Sequence, residues 1–125
     1  MIAALIAILF LGGGIEDAVL DYVQYMRGTV KEVVADDERR ADARATLNEI
    51  KKLTKAHSKS NQKTFKSLLG VMGEMGTEPE TVDALWDDYF QTVDSYNERM
   101  IDLRFELRDT LTREEWEQMF ADSSE

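Results

Sequence analysis

The stretch VDALWDDYFQTVDSYNERMIDLRFEL, residues 82–107, decides the fold. Val82, Trp86, Tyr89, Val93, Tyr96, Met100, Leu103 and Leu107 recur in steps of four and three, and Leu85, Phe90 and Phe105 widen the stripe. Apolar residues at that spacing line one face of an α-helix, and a heptad seam of this length needs another helix against it. Just upstream, Thr77 is a candidate N-cap, Pro79 falls in the first turn, and Glu80 completes a Thr-x-x-Glu capping box. A second box, Thr112 with Glu115, opens a short helix carrying Trp116, Met119 and Phe120. The helix change at Thr112 bends the chain, so those late apolar residues can fold back on the rest.

Towards the N-terminus the same period persists. Ile15, Val19, Tyr22, Met26 and Val33 keep it, Val23, Val30 and Val34 broaden it, and Leu47, Ile50 and Leu53 resume it. Between them DDERRADARAT, residues 36–46, has alanine as its only apolar residue. Ala, Arg and Glu are good helix formers, so this stretch stays helical, but its contacts should be thin, as in a solvated stretch or a site where another chain packs. His57, Ser58, Ser60 and Asn61 suggest a break or kink. Phe65, Leu68, Leu69, Met72 and Met75 make another apolar face, which Gly70, Gly73 and Gly76 loosen towards Thr77. The pattern predicts a long helix over residues 15–56, straight or kinked, a shorter one over 60–75, a third over 78–110 and a short fourth. The fold class is all-α: a long helical hairpin or a three- to four-helix bundle with an apolar N-terminal segment.

That segment, residues 1–14, stands apart from the single helical domain of 15–125. Ile2 to Leu11 is an unbroken apolar run, followed by Gly12-Gly13-Gly14 and then Glu16 and Asp17, with no base before Arg27. At a helical rise of 1.5 Å per residue, Met1 to Ile15 covers ~22 Å, short of a bilayer core of ~30 Å. Three readings compete. An anchor could thin the bilayer or lean on a partner's helices. A signal peptide would place Gly12 and Gly14 at the cleavage site, although a basic n-region is missing. A buried core helix of a soluble protein is the third. The anchor reading is the leading one, with Ile2, Leu5, Ile6, Ile8, Leu9, Phe10 and Leu11 in the membrane. The acidic flank after it places the N-terminus in the cytoplasm and residues 15–125 outside.

Composition narrows the function classes. The chain has 125 residues and a formal charge of −10, which disfavours general nucleic-acid binding because phosphates are repelled. It has no cysteine, which excludes disulfides, thiolate zinc sites and thiol catalysis. One proline and a 43% hydrophobic fraction suit a continuous helical protein and argue against disorder.

Charge is blocked along the chain. Lys51, Lys52, Lys55, Lys59, Lys63 and Lys66 occupy a stretch without acids, while Glu74, Glu78, Glu80, Asp83, Asp87, Asp88, Asp94 and Glu98 occupy the next without bases. An antiparallel hairpin sets Lys66 level with Asp87, Lys59 with Asp94 and Lys55 with Glu98. Internal pairing, worth ~0–1 kcal/mol per exposed pair, or plain solvation is the bland reading. A basic stripe for anionic lipid or an acidic partner is the other.

No catalytic or cofactor signature emerges. His57 is the sole histidine and lacks the i+3 or i+4 partners of a metal site, so it reads as a surface or kink residue. Glu98, Asp102, Glu106 and Asp109 follow one helical face, but Arg99, Arg104 and Arg108 interleave and neutralise it. Met72, Met75, Met100 and Met119 read as core filler. Gly70, Gly73 and Gly76 follow no strand, so they make no phosphate loop. No spacing of Ser, His and Asp suggests a triad.

Leu111-Thr112-Arg113-Glu114-Glu115 resembles the LTxxQ element of the periplasmic Spy-like chaperones and metal-stress sensors, with Leu53-Thr54-Lys55-Ala56-His57 as a poorer second copy. Glu115 and His57 stand where the motif has glutamine. The resemblance covers about ten residues. It implies an all-helical periplasmic protein, usually a dimer of curved hairpins, that binds clients or a signalling partner without an enzyme site.

These readings combine into a non-enzymatic, membrane-tethered, extracytoplasmic interaction subunit of a larger complex. It needs no cofactor, metal or small-molecule substrate. Trp86, Tyr89, Phe90, Val93 and Tyr96 form its contact surface towards a protein partner or a second copy. The alternative is a soluble periplasmic Spy-like chaperone or stress sensor after cleavage near Gly14.

Overall fold

A computed structural model describes residues 15–121. They form four helices and no strand: α1 Ile15–Val33, α2 Asp37–Met72, α3 Pro79–Thr110 and α4 Arg113–Phe120. The all-α reading holds.

Each boundary has a local cause. Glu16 and Asp17 at the start of α1 and Lys31 at its end complement the helix dipole. Asp36 caps α2, accepting the Arg39 backbone N–H at 2.8 Å. The Arg40 guanidinium donates to the Val34 carbonyl at 3.1 Å, satisfying one orphan acceptor where α1 ends. This break at residues 34–36 is where the sequence pattern predicts continuous helix. Conversely, α2 runs unbroken through His57 and Asn61, where a kink is expected. Glu78, not Thr77, is the N-cap of α3, and Pro79 opens its first turn. Thr77 instead donates its hydroxyl to the Val71 carbonyl at 3.1 Å, tying the inter-helix turn to the end of α2. At α4 the capping box is complete, with Glu115 N–H donating to Thr112 Oγ1 at 3.1 Å and Thr112 N–H to Glu115 Oε1 at 2.8 Å.

α2 and α3 form an antiparallel hairpin. Arg99 donates to Glu49 at 2.9 Å, and the Thr54 and Tyr96 hydroxyls meet at 2.9 Å. α1 lies antiparallel along the first two thirds of α2, where Glu16 accepts from Asn61. α4 turns back at Leu111 and packs on α1. The core is where these helices meet. It consists of Val23, Met26, Val30 and Val34, then Ala43, Leu47 and Ile50, then Leu103 and Leu107, closed by Leu111 and Met119. The alanine-rich start of α2 is therefore a core element. Ala43 lets a neighbouring helix approach closely and is fully buried.

The heptad seam of α3 is split between two environments. Leu103 and Leu107 are buried in the bundle. Past Asn61, no third helix accompanies the hairpin among the described residues. There Val82, Tyr89 and Val93 are half-buried and Trp86 is exposed.

Candidate interaction surface

In the distal half of the hairpin, α3 carries an aromatic cluster. The Trp86 ring lies 5.8 Å from Phe90 and 5.9 Å from Tyr89, and Tyr89 lies 5.6 Å from Phe90. The separations fall within the range of attractive aromatic pairs. Trp86 meets Tyr89 and Phe90 one helical turn on, Tyr89 and Phe90 are sequence neighbours, and the rings stay open to water: Trp86 is 42% exposed and Phe90 56%. Across the hairpin, Leu69 is 48% exposed, and Met72 and Met75 more so. Large apolar groups gathered on one region of a soluble surface mark contact sites more often than chance exposure does.

Of the five residues predicted for the contact, Trp86, Tyr89 and Phe90 form this cluster and Val93 follows it half-buried. Tyr96 stands apart. Its hydroxyl is engaged by Thr54, and its ring is stacked under His57 at 4.1 Å. His57, expected on the surface or at a kink, is buried. Asn61 Nδ2 donates to Glu16 Oε1 at 2.9 Å and sits 3.2 Å from His57 Nε2. With the amide donating, Nε2 accepts and the ring proton lies on Nδ1. Burial lowers the His57 pKa, and the Glu16 charge opposes that shift. Burial raises the Tyr96 pKa, and the Thr54 hydrogen bond opposes it. This polar layer marks the level where α1 begins, and past it no third helix lies beside the hairpin among the described residues.

A second open region joins the first. A groove of about 750 Å³ runs between α1 and α3, lined by Val19, Tyr22, Met100, Ile101, Trp116 and Phe120 among others, with Ile50 of α2 also in its wall. The Arg104 guanidinium lies over the Trp116 ring at 5.5 Å and over Phe105 at 5.5 Å. Met100, Ile101 and Arg104 share a helical stripe with Asn97, Val93, Phe90 and Trp86. The groove and the aromatic cluster are thus one face of α3. The sequence pattern identifies the stripe, but not the groove, which depends on where α1 lies.

The charge blocks do not pair. Among the described residues Lys55, Lys59 and Lys66 form no ion pair with Glu98, Asp94 or Asp87. The ion pairs lie elsewhere, including Arg39 with Glu115, Arg99 with Glu49 and Arg99 with Glu106. Arg39 holds the Glu115 carboxyl below its ordinary pKa against the opposing effect of burial, helped by the Thr112 N–H. No three His, Asp or Glu side chains converge as a metal site would need among the described residues. No helix there is long and apolar enough to cross a membrane. The membrane residues expected at Ile2, Leu5, Ile6, Ile8, Leu9, Phe10 and Leu11 lie outside the described residues.

Comparisons with protein families, with curated proteins and with solved structures find no match to this chain.

Proposed function

We propose that the protein is a non-enzymatic helical interaction subunit whose contact surface is the aromatic stripe of the distal hairpin. The observation that carries this reading is the placement of Trp86 and Phe90, exposed on a hairpin half that no other described helix covers. Both residues supply large apolar area with few rotatable bonds, the chemistry of interface anchors. The proximal bundle serves as a rigid base that presents the hairpin. On this reading the domain faces the extracytoplasmic side, and the apolar segment 1–14 tethers it to a membrane within a larger complex.

The test is site-specific photocrosslinking in cells from position 86, compared with position 59 on the lysine stripe. A defined adduct from position 86 that Phe90→Ala abolishes is the expected result. Adducts from position 59 alone would reject the aromatic surface. Fractionation of chains with and without residues 1–14 tests the location. If both stay in the cytosol, the tether is wrong.

A soluble Spy-like chaperone or stress sensor is the second reading. It is favoured by the long hairpin and by the buried positions of Thr54 and Leu111 within the two Leu-Thr elements. Intact mass of the native protein separates the two. A mature chain starting near Ile15 that suppresses client aggregation supports the chaperone, and a retained Met1 removes it.

A further inference from the structure

We infer that the groove between α1 and α3 binds one single-chain anionic amphiphile, with its alkyl chain between the two helices and its carboxylate or phosphate head on Arg104. The site lies at the proximal end of the α3 face, and it stands or falls apart from the contact assigned to the distal aromatic cluster.

Shape is the first argument. All four helices contribute to the lining, Ile50 from α2 and Trp116 and Phe120 from α4 included. α4 bridges the two walls. Its Phe120 ring lies 6.3 Å from Tyr22 of α1, and its Trp116 ring lies 5.5 Å from the Arg104 guanidinium of α3. A volume of about 750 Å³ falls in the ~300–1,000 Å³ range of small-molecule sites. A partner helix is ~10–12 Å across with its side chains. Laid along this groove it would have to displace α4, whereas a thin, flexible alkyl chain does not.

The walls select for such a chain. Val19, Met26, Met100 and Ile101 present only carbon and sulfur, and no Asp or Glu is among the described lining residues. Ile101 and Tyr22 are exposed, so apolar surface of the groove meets water. Covering it with methylene groups is favourable in proportion to the area removed from water.

Arg104 supplies the head site. Arg39, Arg40, Arg99, Arg108 and Arg113 each pair with a carboxylate of the same chain. Among the described residues Arg104 pairs with none, and its guanidinium meets the Phe105 and Trp116 rings instead. Ring contacts of this kind hold the guanidinium while leaving its N–H groups for an acceptor. A carboxylate or phosphate can take two of them at once in charge-assisted hydrogen bonds. The formal charge of −10 gives the chain no general attraction for anions, so a preference for an anionic head reports on this one cation.

The experiment follows Trp116 emission in the full chain carrying Trp86→Phe. Decanoate, decyl phosphate and decanol are added below the concentrations at which they aggregate. One equivalent of an anionic ligand should saturate the change, and at least one of the two should bind ten times more tightly than decanol. The tighter of the pair identifies the head. Arg104→Gln should bring all three ligands within a factor of three. Ile101→Glu puts a carboxylate in the groove one turn from Arg104 and should abolish anion binding. Position 101 is exposed, so the fold should survive, and far-UV circular dichroism melts check both variants. If Ile101→Glu melts early, Arg104→Gln alone decides. Decanol binding as tightly as both anions in the parent overturns the inference. So does saturation only at several equivalents, or unchanged anion binding in a folded Ile101→Glu chain, since either means adsorption of detergent. A response to phosphatidylglycerol vesicles with none to decanoate or decyl phosphate overturns it in favour of a membrane surface. Binding lost as a dimer mass appears by light scattering overturns it in favour of a second copy in the groove. Failure here leaves crosslinking from position 86 intact, so the ligand site and the contact surface are judged separately.

Discussion

The imidazole of His57 lies flat on the phenol of Tyr96, with ring centroids 4.1 Å apart and planes 5° from parallel. The pair bridges α2 and α3 at the level where α1 starts. Tyr96 is fixed by Thr54, and His57 by Asn61, which in turn holds Glu16. The hydrogen bonds within this buried polar layer offset most of its desolvation, although Asn61 Oδ1 is buried without a partner among the described residues. The layer also separates a packed bundle from a hairpin half that exposes its apolar residues.

This layer makes stability sensitive to mild acid. Burial holds the folded pKa of His57 below its ordinary 6.5, so the unfolded chain binds the proton more readily. The contribution is therefore complete above pH 6.5 and is lost as pH falls through the lower folded value. The melting temperature should decline as pH falls from 6.5 through the lower folded value, and His57→Phe, which keeps the stack, should flatten the decline. Thermal melts of both chains at stepped pH check it. Parallel profiles would reject the assignment.

The Arg39–Glu115 contact fastens α4 to the start of α2. Glu115 has a folded pKa below its ordinary 4.5, so its contribution is present above that value and lost as pH falls through the folded one. Glu115→Gln retains the capping box and removes the ion pair, so it should erase this lower acid transition and lower stability at neutral pH. Thr112→Ala removes the cap and should cost ~1 kcal/mol. Urea titrations followed by Trp116 emission measure both, and a Glu115→Gln chain with the parent's acid profile would show that the pair contributes nothing.

How much of this was legible depends on the range of the cause. Periodicity belongs to a single helix, so the stripe over residues 82–107 and the Thr112–Glu115 box translate directly into α3 and α4. The break at residues 34–36 has no glycine or proline to announce it. Asp36 looks like one acid in a charged run, and the break shows only in its cap on the Arg39 N–H and in Arg40 closing on the Val34 carbonyl. His57 and Asn61 look like a kink because polar residues interrupt the apolar pattern, yet they are the ligands of Glu16 from another helix. The thin contacts expected at residues 36–46 failed for a related reason. Alanine carries little hydrophobic signal but permits the close approach that buries Ala43. The aromatic cluster was readable from spacing. The adjoining groove with Ile101 and Arg104 was not, because it exists only once α1 is placed.

The proximal bundle should carry most of the stability. Leu47 and Leu103 are 0% and 1% exposed, so Leu47→Ala and Leu103→Ala should each cost about 2–5 kcal/mol. Ile101, 54% exposed in the groove, should cost no more than about 0.5 kcal/mol when replaced by alanine. Equilibrium urea unfolding ranks the three. A large loss at Ile101 would mean that the groove is filled in solution.

Self-association should follow from the exposed apolar stripe of the hairpin. Residues 15–121 contain a packed cluster of Val23, Val30, Leu47, Leu103 and Met119, on which a chain lacking residues 1–14 can fold. Trp86, Phe90, Leu69 and Met72 are exposed on the hairpin, and pairing with a second hairpin is the direct way to remove them from water. Light scattering of this shortened chain at tens of micromolar should give a dimer mass. Trp86→Ala with Phe90→Ala should return it to a monomer. The fold should tolerate that double change, because groups already 42% and 56% exposed lose less than the ~3–5 kcal/mol of a fully buried aromatic. A shortened chain that is monomeric and keeps Trp86 shielded from acrylamide would refute self-association and leave only a different partner protein to cover the stripe.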